Sequence, residues 1–501
     1  MPSAPKGQVP CWNSPAERSG NEKVKYLKDL RIYIQLLLAG ISIWFIVRLV
    51  LFGMMTNIQY VIAFFITAAF NLLVYVLMFA RHKKRKKLYC RIGKALGIAF
   101  SVFLAVMALG MWFMDSFLHG ITGTEVVKKD ISFIVLEDSP IQSQGDISGD
   151  ALAAVQQMVT DEDIQELCSE IVNGGGSAPE TVPYESLNGQ IEALYSGEAD
   201  AVIINESSRS LIEEQWEDFS SDTRVVVSVS VSREQANISR KTDVTAQPFL
   251  VLISGMDAYG SLDQTARSDV NILAAVDPVE AKILLVSIPR DYYVPIMSGN
   301  TSIAGRDGSM DKLTHSGLFG AECTVRTLEN FFDVEINYYV KVNFSSVIEI
   351  VDAIGGITVE SDIAFGEFRQ GSNECSGEQA LAFVRERYAF ADGDRQRGRN
   401  QMEVIRAIVS KLSDPSLSYD YAALLETVQD SVDMNFSDTE VKSLIQMELA
   451  RRPAWQVESI SVNGEDGNDY SYFYGSDLYV MYPDMDSVEE AKDKISEIME
   501  Q

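Results

Sequence analysis

Apolar positions crowd into three long runs near the start of this chain and then give way to short runs broken by charge, glycine and proline. The long runs, at 32–55, 58–80 and 95–117, each supply the ~20 mostly apolar residues that a helix needs to cross a bilayer. Beyond residue 120 the periodicity alternates between that of strands and that of amphipathic helices. It predicts a strand at 131–136, a helix at 150–172 stopped by Gly174, Gly175 and Gly176, a helix at 187–195, a strand at 201–204, a helix at 207–219 and a strand at 224–231. A polar stretch at 241–247 reads as a linker. After it come a strand at 248–254 and two β-rich runs, 270–276 and 282–288, joined through Asp277 and Pro278, which is the signature of a hairpin. A helix at 321–332, strands at 340–344 and 357–359 around a helix at 345–353, and a helix from Asp394 carrying Ile405, Ile408, Val409 and Leu412 follow. A last helix opens on the capping-box pattern Ser487–Glu490. The pattern predicts an α/β protein in four parts: an N-terminal segment 1–29, three transmembrane helices within 30–120, an accessory α/β domain 121–245, and a larger α/β domain with its C-terminal extension at 246–501.

Charge orients the membrane part. Lys23, Lys25, Lys28 and Arg31 precede the first run, the segment 81–94 between the second and third is densely basic, and the turn near Thr56 and Asn57 has no charge. Cytoplasmic loops carry the Lys and Arg excess, so the N-terminus and 81–94 are expected in the cytoplasm and everything after the third run outside. The same basic run could bind nucleic acid, but its position between two spans makes it a topology signal. The first run follows a polar, charged segment and carries no cleavage signal. The content of 47% apolar and 10% aromatic residues excludes disorder as the overall state. Cys11 and Cys90 fall on the reducing side, and Cys168, Cys323 and Cys375 on the oxidising side, where a Cys323–Cys375 disulfide is expected. Their spacings fit no zinc site.

The net charge of −29 makes one segment conspicuous: 385–401 holds Arg385, Arg387, Arg395, Arg397 and Arg399. Arginine's planar fork matches phosphate oxygens in pairs. On extended backbone Arg385 and Arg387 would point the same way. Arg397 and Gln401, four apart, share a helix face near a helix N-terminus, which favours anions. Either the cluster holds a polyanion, or it is a solvated helix start neutralised by Asp392 and Asp394. Antiparallel pairing of the predicted hairpin brings Asp269 near Arg290, and Asp257 leaves a strand end nearby. Two carboxylates there could serve Mg2+, which takes oxygen ligands and substrate phosphates, or could cap turns. His315 is expected to pack its loop rather than act as a base, since no acid partner is visible.

The runs Ile253-Ser254-Gly255-Met256-Asp257, Arg267-Ser268-Asp269, Ser287-Ile288-Pro289-Arg290-Asp291 and Asp311-Lys312-Leu313-Thr314-His315, followed by the arginine-rich 385–401, occur in this order. Together they resemble the LytR-CpsA-Psr family over roughly 249–412. The three spans and the accessory domain look like its capsule-assembly branch. The resemblance implies a mixed β-sheet sandwiched by helices and an extracytoplasmic phosphotransferase. Such an enzyme moves a glycan, with one phosphate, from a polyprenyl pyrophosphate to peptidoglycan in a Gram-positive-type envelope. It implies Asp257 and Asp269 as ligands of Mg2+ or Mn2+ and Arg290, Arg385, Arg387 and Arg397 as the pyrophosphate grip. Gln401 is implied as a polar contact, with Arg267 and Lys312 as basic neighbours. Alternatives kept open are a pyrophosphatase acting on the same lipid and a non-catalytic regulator that binds polysaccharide export proteins.

Overall fold

The structure, a computed structural model, describes residues 30–52, 57–79, 86–121, 126–156, 158–234, 238–256, 262, 264–298, 308–390, 393–414 and 431–500. The chain forms two compact units, 1–116 and 117–501.

The first unit consists of helices α1 (Leu30–Phe52), α2 (Asn57–Phe79) and α3 (Lys86–Ile121, which runs on into the second unit). All three are long and apolar enough to cross a membrane. Ile34, Leu38, Val74 and Met78 bury one another between helices. Gly93 and Gly97 sit one turn apart on α3, and a Cβ added at Gly93 would come within 2.8 Å of Met78. Small residues at four-residue spacing let helix backbones approach closely in lipid. Asn71 donates a hydrogen bond to Ser42 Oγ at 2.9 Å. The basic segment 81–94 is not all loop: from Lys86 onward it forms the first turns of α3. Lysine, arginine and leucine are good helix formers, and the long basic side chains can reach the interface from a continuous helix.

The second unit begins with a five-stranded sheet, β1 (Val126–Leu136), β2 (Leu152–Gln156), β3 (Glu180–Tyr184), β4 (Ala201–Asn205) and β5 (Thr223–Glu234), ordered β3-β2-β4-β1-β5. The single helix expected at 150–172 is instead β2 followed by α4 (Asp161–Asn173). The run 152–156 is buried between two parallel partners, and such strands lack the alternation that separates strand from helix. Thr160 caps α4 by accepting from Asp163 N. Helix α5 spans Leu187–Ser196. The helix expected at 207–219 is broken into a 3-10 turn (Glu206–Ser208), α6 (Arg209–Glu213) and α7 (Phe219–Asp222).

The larger sheet contains β6 (Phe249–Gly255), β7 (Val270–Asp277) and β8 (Lys282–Ile288), with β11 (Tyr338–Val342), β14 (Asp433–Met434) and β15 (Gln456–Ser461) joining from later in the chain; its order is β14-β11-β6-β7-β8-β15. Between them lie β9 (Tyr293–Ile296), β10 (Ser309–Lys312), α8 (Ala321–Phe332), α9 (Phe344–Ala353), β12 (Ile357–Ser361), β13 (Gly371–Cys375), α10 (Gly377–Arg385), α11 (Asp394–Leu412) and α12 (Asp438–Arg451). The chain closes with the hairpin β16 (Gly464–Ser471) and β17 (Ser476–Pro483) and with α13 (Met485–Met499). Asp484, not Ser487, caps α13.

Both faces of the sheet are covered. Leu250, Leu252, Leu273 and Leu284 pack against α8 and α13 through Leu328, Phe332, Val488 and Ala491. Phe249, Val251, Ile272 and Leu285 pack on the other side against Met402 of α11 and Phe436 before α12. Alternate residues of one strand thus feed two cores, giving the three-layer arrangement of a mixed sheet between helices.

The accessory sheet and the larger domain are not beads on a linker. Leu318, Phe473, Tyr474 and Leu478 of the larger domain belong to the same buried cluster as Ile134, Leu187, Ile191 and Phe219. Leu187 N and Asn188 N donate to the carbonyls of Phe473 and Tyr474. The tyrosine-rich 470–482 is this β16–β17 hairpin.

Cys323 lies in the α8-side core and Cys375 in a separate cluster with Val351, Phe365 and Phe383. Both are thiols, so the expected disulfide is not formed. Burial, with Glu367 adding to it, pushes the Cys375 thiol up to about 11.

Candidate functional site

One edge of the large sheet collects the site. β6 and β11 run parallel, as do β8 and β15, while β7 is antiparallel to both of its neighbours. The C-terminal ends of four strands and the start of β7 therefore share an edge, the usual place for ligands in open α/β sheets. Asp257 follows the end of β6 in sequence and lies outside the described residues. Asp269 precedes β7, Arg290 follows β8, and Phe344 follows β11.

The hairpin β7–β8 delivers the pair it promised. Arg290 Nη1 donates to Asp269 Oδ1 at 3.0 Å, and Thr314 Oγ1 donates to the same oxygen, also at 3.0 Å. Asp269 is buried. Its turn is fixed by a polar network in which Ser268 Oγ donates to Asn271 Oδ1 at 2.6 Å and lies 2.8 Å from Ser254 Oγ. Arg290 Nε also approaches Asp291 Oδ2 at 3.5 Å, and Lys312 Nζ donates to Asp291 Oδ1 at 3.0 Å.

Across from this pair, α11 supplies the other wall. Gly398 lets the helix sit against β8, since a Cβ there would lie 2.7 Å from Ser287 Oγ. Asn400 Nδ2 donates to Phe383 O at 3.0 Å and ties the opposite face of α11 to α10. Arg397 and Gln401, one turn apart, then line a narrow crevice of about 40 Å³ together with Asp269, Arg290, Asp291 and Arg395. Arg395 Nη2 donates to Gly464 O at 2.8 Å. Three guanidiniums face two carboxylates, and each carboxylate already has a cationic partner, so the crevice favours an added anion.

Sequence reasoning placed Asp269, Arg290, Arg397 and Gln401 together, and they are. It missed Arg395 and Asp291, although both stand inside motifs it used, because a side chain's direction at a loop or helix start is not legible from spacing. Arg385 and Arg387 do not line the crevice and are not on a strand. Arg385 ends α10 and stacks over Phe344 at 4.1 Å, at the same sheet edge. Arg387 stacks on Tyr388 and donates to its hydroxyl at 2.6 Å. Lys312 stands behind Asp291 rather than in the crevice. Arg267 is ion-paired to Glu214 of the accessory domain.

The Asp311–His315 segment is a brace. Asp311 is buried and accepts from Ser471 Oγ at 2.9 Å and from Phe473 N at 2.8 Å. His315 Nδ1 lies 2.8 Å from Asp311 Oδ1. An acid partner therefore exists, four residues earlier, where the 3-10 turn Leu313–Phe319 delivers it. Burial works against the charged form of Asp311, but His315 and the backbone N–H groups of Phe473 and Lys312 together hold its carboxyl below the usual range. Thr314 N donates to Arg290 O and Thr314 O accepts from Ser268 N. The segment thereby connects the C-terminal hairpin to Asp269 and Arg290.

As for a metal, both hydrogen bonds to Asp269 from the described residues end on Oδ1. Oδ2 accepts none of them, and a carboxylate oxygen is the kind of ligand that Mg2+ takes. No group of three or more His, Cys, Asp or Glu able to hold a metal ion occurs among the described residues.

The edge of a three-layer α/β sheet, lined by three arginines and two buried aspartates, is chemically suited to an anionic group. The family model described as the LytR_cpsA_psr family matches residues 218–494, and the chain belongs to that family. A protein of Enterococcus faecalis called polyisoprenyl-teichoic acid--peptidoglycan teichoic acid transferase TagU is 34% identical over 219 residues, 42% of this chain and 68% of the relative. Its namesake from Bacillus licheniformis is 36% identical over 214 residues, covering 41% and 67%. The solved structure of TagT bound to LIIa-WTA is 28% identical, with a TM-score of 0.41, and covers 52% of this chain and 94% of that one.

Proposed function

We propose that this chain is a membrane-anchored phosphotransferase that moves a glycan phosphate from a polyprenyl-pyrophosphate carrier to peptidoglycan outside the cell. The observation that carries it is the crevice in which Asp269, Arg290, Arg395, Arg397 and Gln401 converge from three separate stretches of sequence. Its three guanidiniums suit a phosphate group, and the names of the relatives supply the two substrates.

In the proposed reaction an acceptor sugar hydroxyl forms a bond to the glycan-bearing phosphorus. The bond from that phosphorus to the bridging oxygen breaks, and polyprenyl monophosphate leaves with the electron pair. Phosphoryl transfer of this kind depends on positioning and charge neutralisation. Arg290 and Arg397, on opposite walls, would hold the phosphate oxygens, and Arg290 would at the same time orient Asp269. The hydroxyl proton goes to Asp257. Asp269, with Asp257, would hold Mg2+ or Mn2+, which supplies further neutralisation of the phosphate charge when bound. Arg385, over Phe344 at the same sheet edge, and its near neighbour Arg387 would meet the outer part of the pyrophosphate. Polysaccharide export proteins are proposed as neighbours in the membrane.

The full chain in detergent, given a lipid-pyrophosphate-linked glycan and purified peptidoglycan, should transfer glycan to the wall polymer. Chelation of divalent cations should stop transfer and added Mg2+ should restore it. Asp269→Asn should abolish transfer while lipid pyrophosphate still binds. Undiminished transfer by Asp269→Asn, or by the chelated protein, would remove the metal role; no transfer by the parent under any of these conditions would remove the enzyme.

A further inference from the structure

We infer that the accessory domain builds the acceptor subsite: a cleft between it and the larger domain binds the peptidoglycan sugar whose hydroxyl attacks. The inference rests on the transferase reading above and adds where the second substrate sits. The cleft has a volume of about 520 Å³, within the size range of small-ligand sites and far wider than the phosphate crevice. Asp269 lines both cavities. In phosphoryl transfer the attacking and leaving oxygens lie roughly in line across the phosphorus. An aspartate with one cavity on either side marks that line, with the arginine crevice for the pyrophosphate and the cleft for the incoming hydroxyl.

The chemistry of the cleft fits a sugar and not a second polyphosphate. Its lining holds four basic and four acidic side chains, so it presents no net field for an anion. Hydroxyl and amide groups of Ser207, Ser210, Asn205, Gln264 and Thr265 stand among them, an alternation of donors and acceptors suited to sugar hydroxyls and N-acetyl groups.

The walls are preset. Arg209 is held by Glu206 through bonds of 2.6 and 2.9 Å, Gln264 Nε2 donates to Asp130 Oδ2 at 2.7 Å, and Arg267 is paired to Glu214. Each of the last two links crosses from one domain to the other and ties the two walls together without a ligand. That rigidity limits the ordering cost of binding.

The test measures binding of a soluble oligosaccharide of alternating N-acetylglucosamine and N-acetylmuramic acid to the full chain in detergent, by saturation-transfer NMR and calorimetry. The parent should bind it. Ser210→Trp, at the exposed rim of the cleft, should weaken binding at least about tenfold. The Kd for the lipid pyrophosphate should be the same in both proteins. No binding to the parent, or equal affinity in the parent and Ser210→Trp, would overturn the subsite. So would loss, in Ser210→Trp, of binding by the lipid-free donor polymer in place of the peptidoglycan oligosaccharide, because the cleft would then carry the donor's glycan. These are binding measurements, so a parent that binds the oligosaccharide in the cleft yet never transfers glycan would sink the transferase reading and leave the sugar site standing.

Discussion

Two donors, Arg290 and Thr314, end on one oxygen of a buried aspartate, and the guanidinium that makes one of those bonds also faces the crevice. Arg290 therefore has two tasks, orienting Asp269 and meeting substrate, and its substitutions should separate them. Arg290→Ala should weaken lipid pyrophosphate binding by about 10- to 150-fold, the equivalent of the ~1.5–3 kcal/mol of a hydrogen bond to a charged group. It should also lower Tm, since Asp269 loses its compensating charge in a buried setting. Arg290→Lys keeps the charge and loses the fork, so Tm should recover more than affinity does. Calorimetric Kd and melting curves of both variants check this, and an Arg290→Ala affinity equal to the parent's would remove Arg290 from the site. This pair was legible in the sequence because hairpin register is local. Arg385 and Arg387 were not, because their directions depend on where α10 ends.

Among the elements, the 3-10 turn Leu313–Phe319 is held tightly against the site. Gly317 touches the backbone of the segment before Asp269: a Cβ there would lie 2.5 Å from both Ala266 O and Ser268 N. Neither is a flexible side chain, so Gly317→Ala must push apart two stretches of backbone, and overpacking of this kind costs roughly 1–3 kcal/mol. The variant should melt several degrees lower and transfer glycan more slowly, with the defect in kcat rather than in donor affinity, because the arginines of α11 are untouched. Parent-like melting and turnover would show that the segment yields without moving Asp269. The sequence marked the stretch around His315 as a loop but could not mark the contact, which joins residues about fifty positions apart.

For the molecule as a whole, the shared core of the accessory and larger domains predicts interdependence. Excision of 126–234 would expose Leu318, Phe473, Tyr474 and Leu478, all buried in the intact chain, and the remainder should aggregate or lose its cooperative melting transition. A soluble, cooperatively folded remainder would mean that the interface is dispensable. Orientation in the membrane is a proposal drawn from charge. Cysteines engineered after Gly120 should react with an impermeant reagent in intact cells and those within 81–94 should not; the reverse pattern would place the site in the cytoplasm and sink the cell-wall assignment.

The sequence by itself determined the three apolar spans, the β7–β8 hairpin with Asp269 opposite Arg290, and α11 with Arg397 facing Gln401. It also carried the ordered motifs that mark the family. Each of these is a local periodicity or a pairing across a short turn, where backbone geometry alone sets which side chains meet. Tertiary structure decided the rest. It made 152–156 a strand by giving it two parallel neighbours, and it kept Cys323 and Cys375 apart by assigning them to different cores. It brought Asp311 to His315 and the C-terminal hairpin to both, and it turned a predicted linker-joined accessory domain into one wall of a cleft beside Asp269. Those outcomes depend on contacts between residues far apart in the chain, and such contacts are fixed by how whole faces pack rather than by any neighbour in sequence.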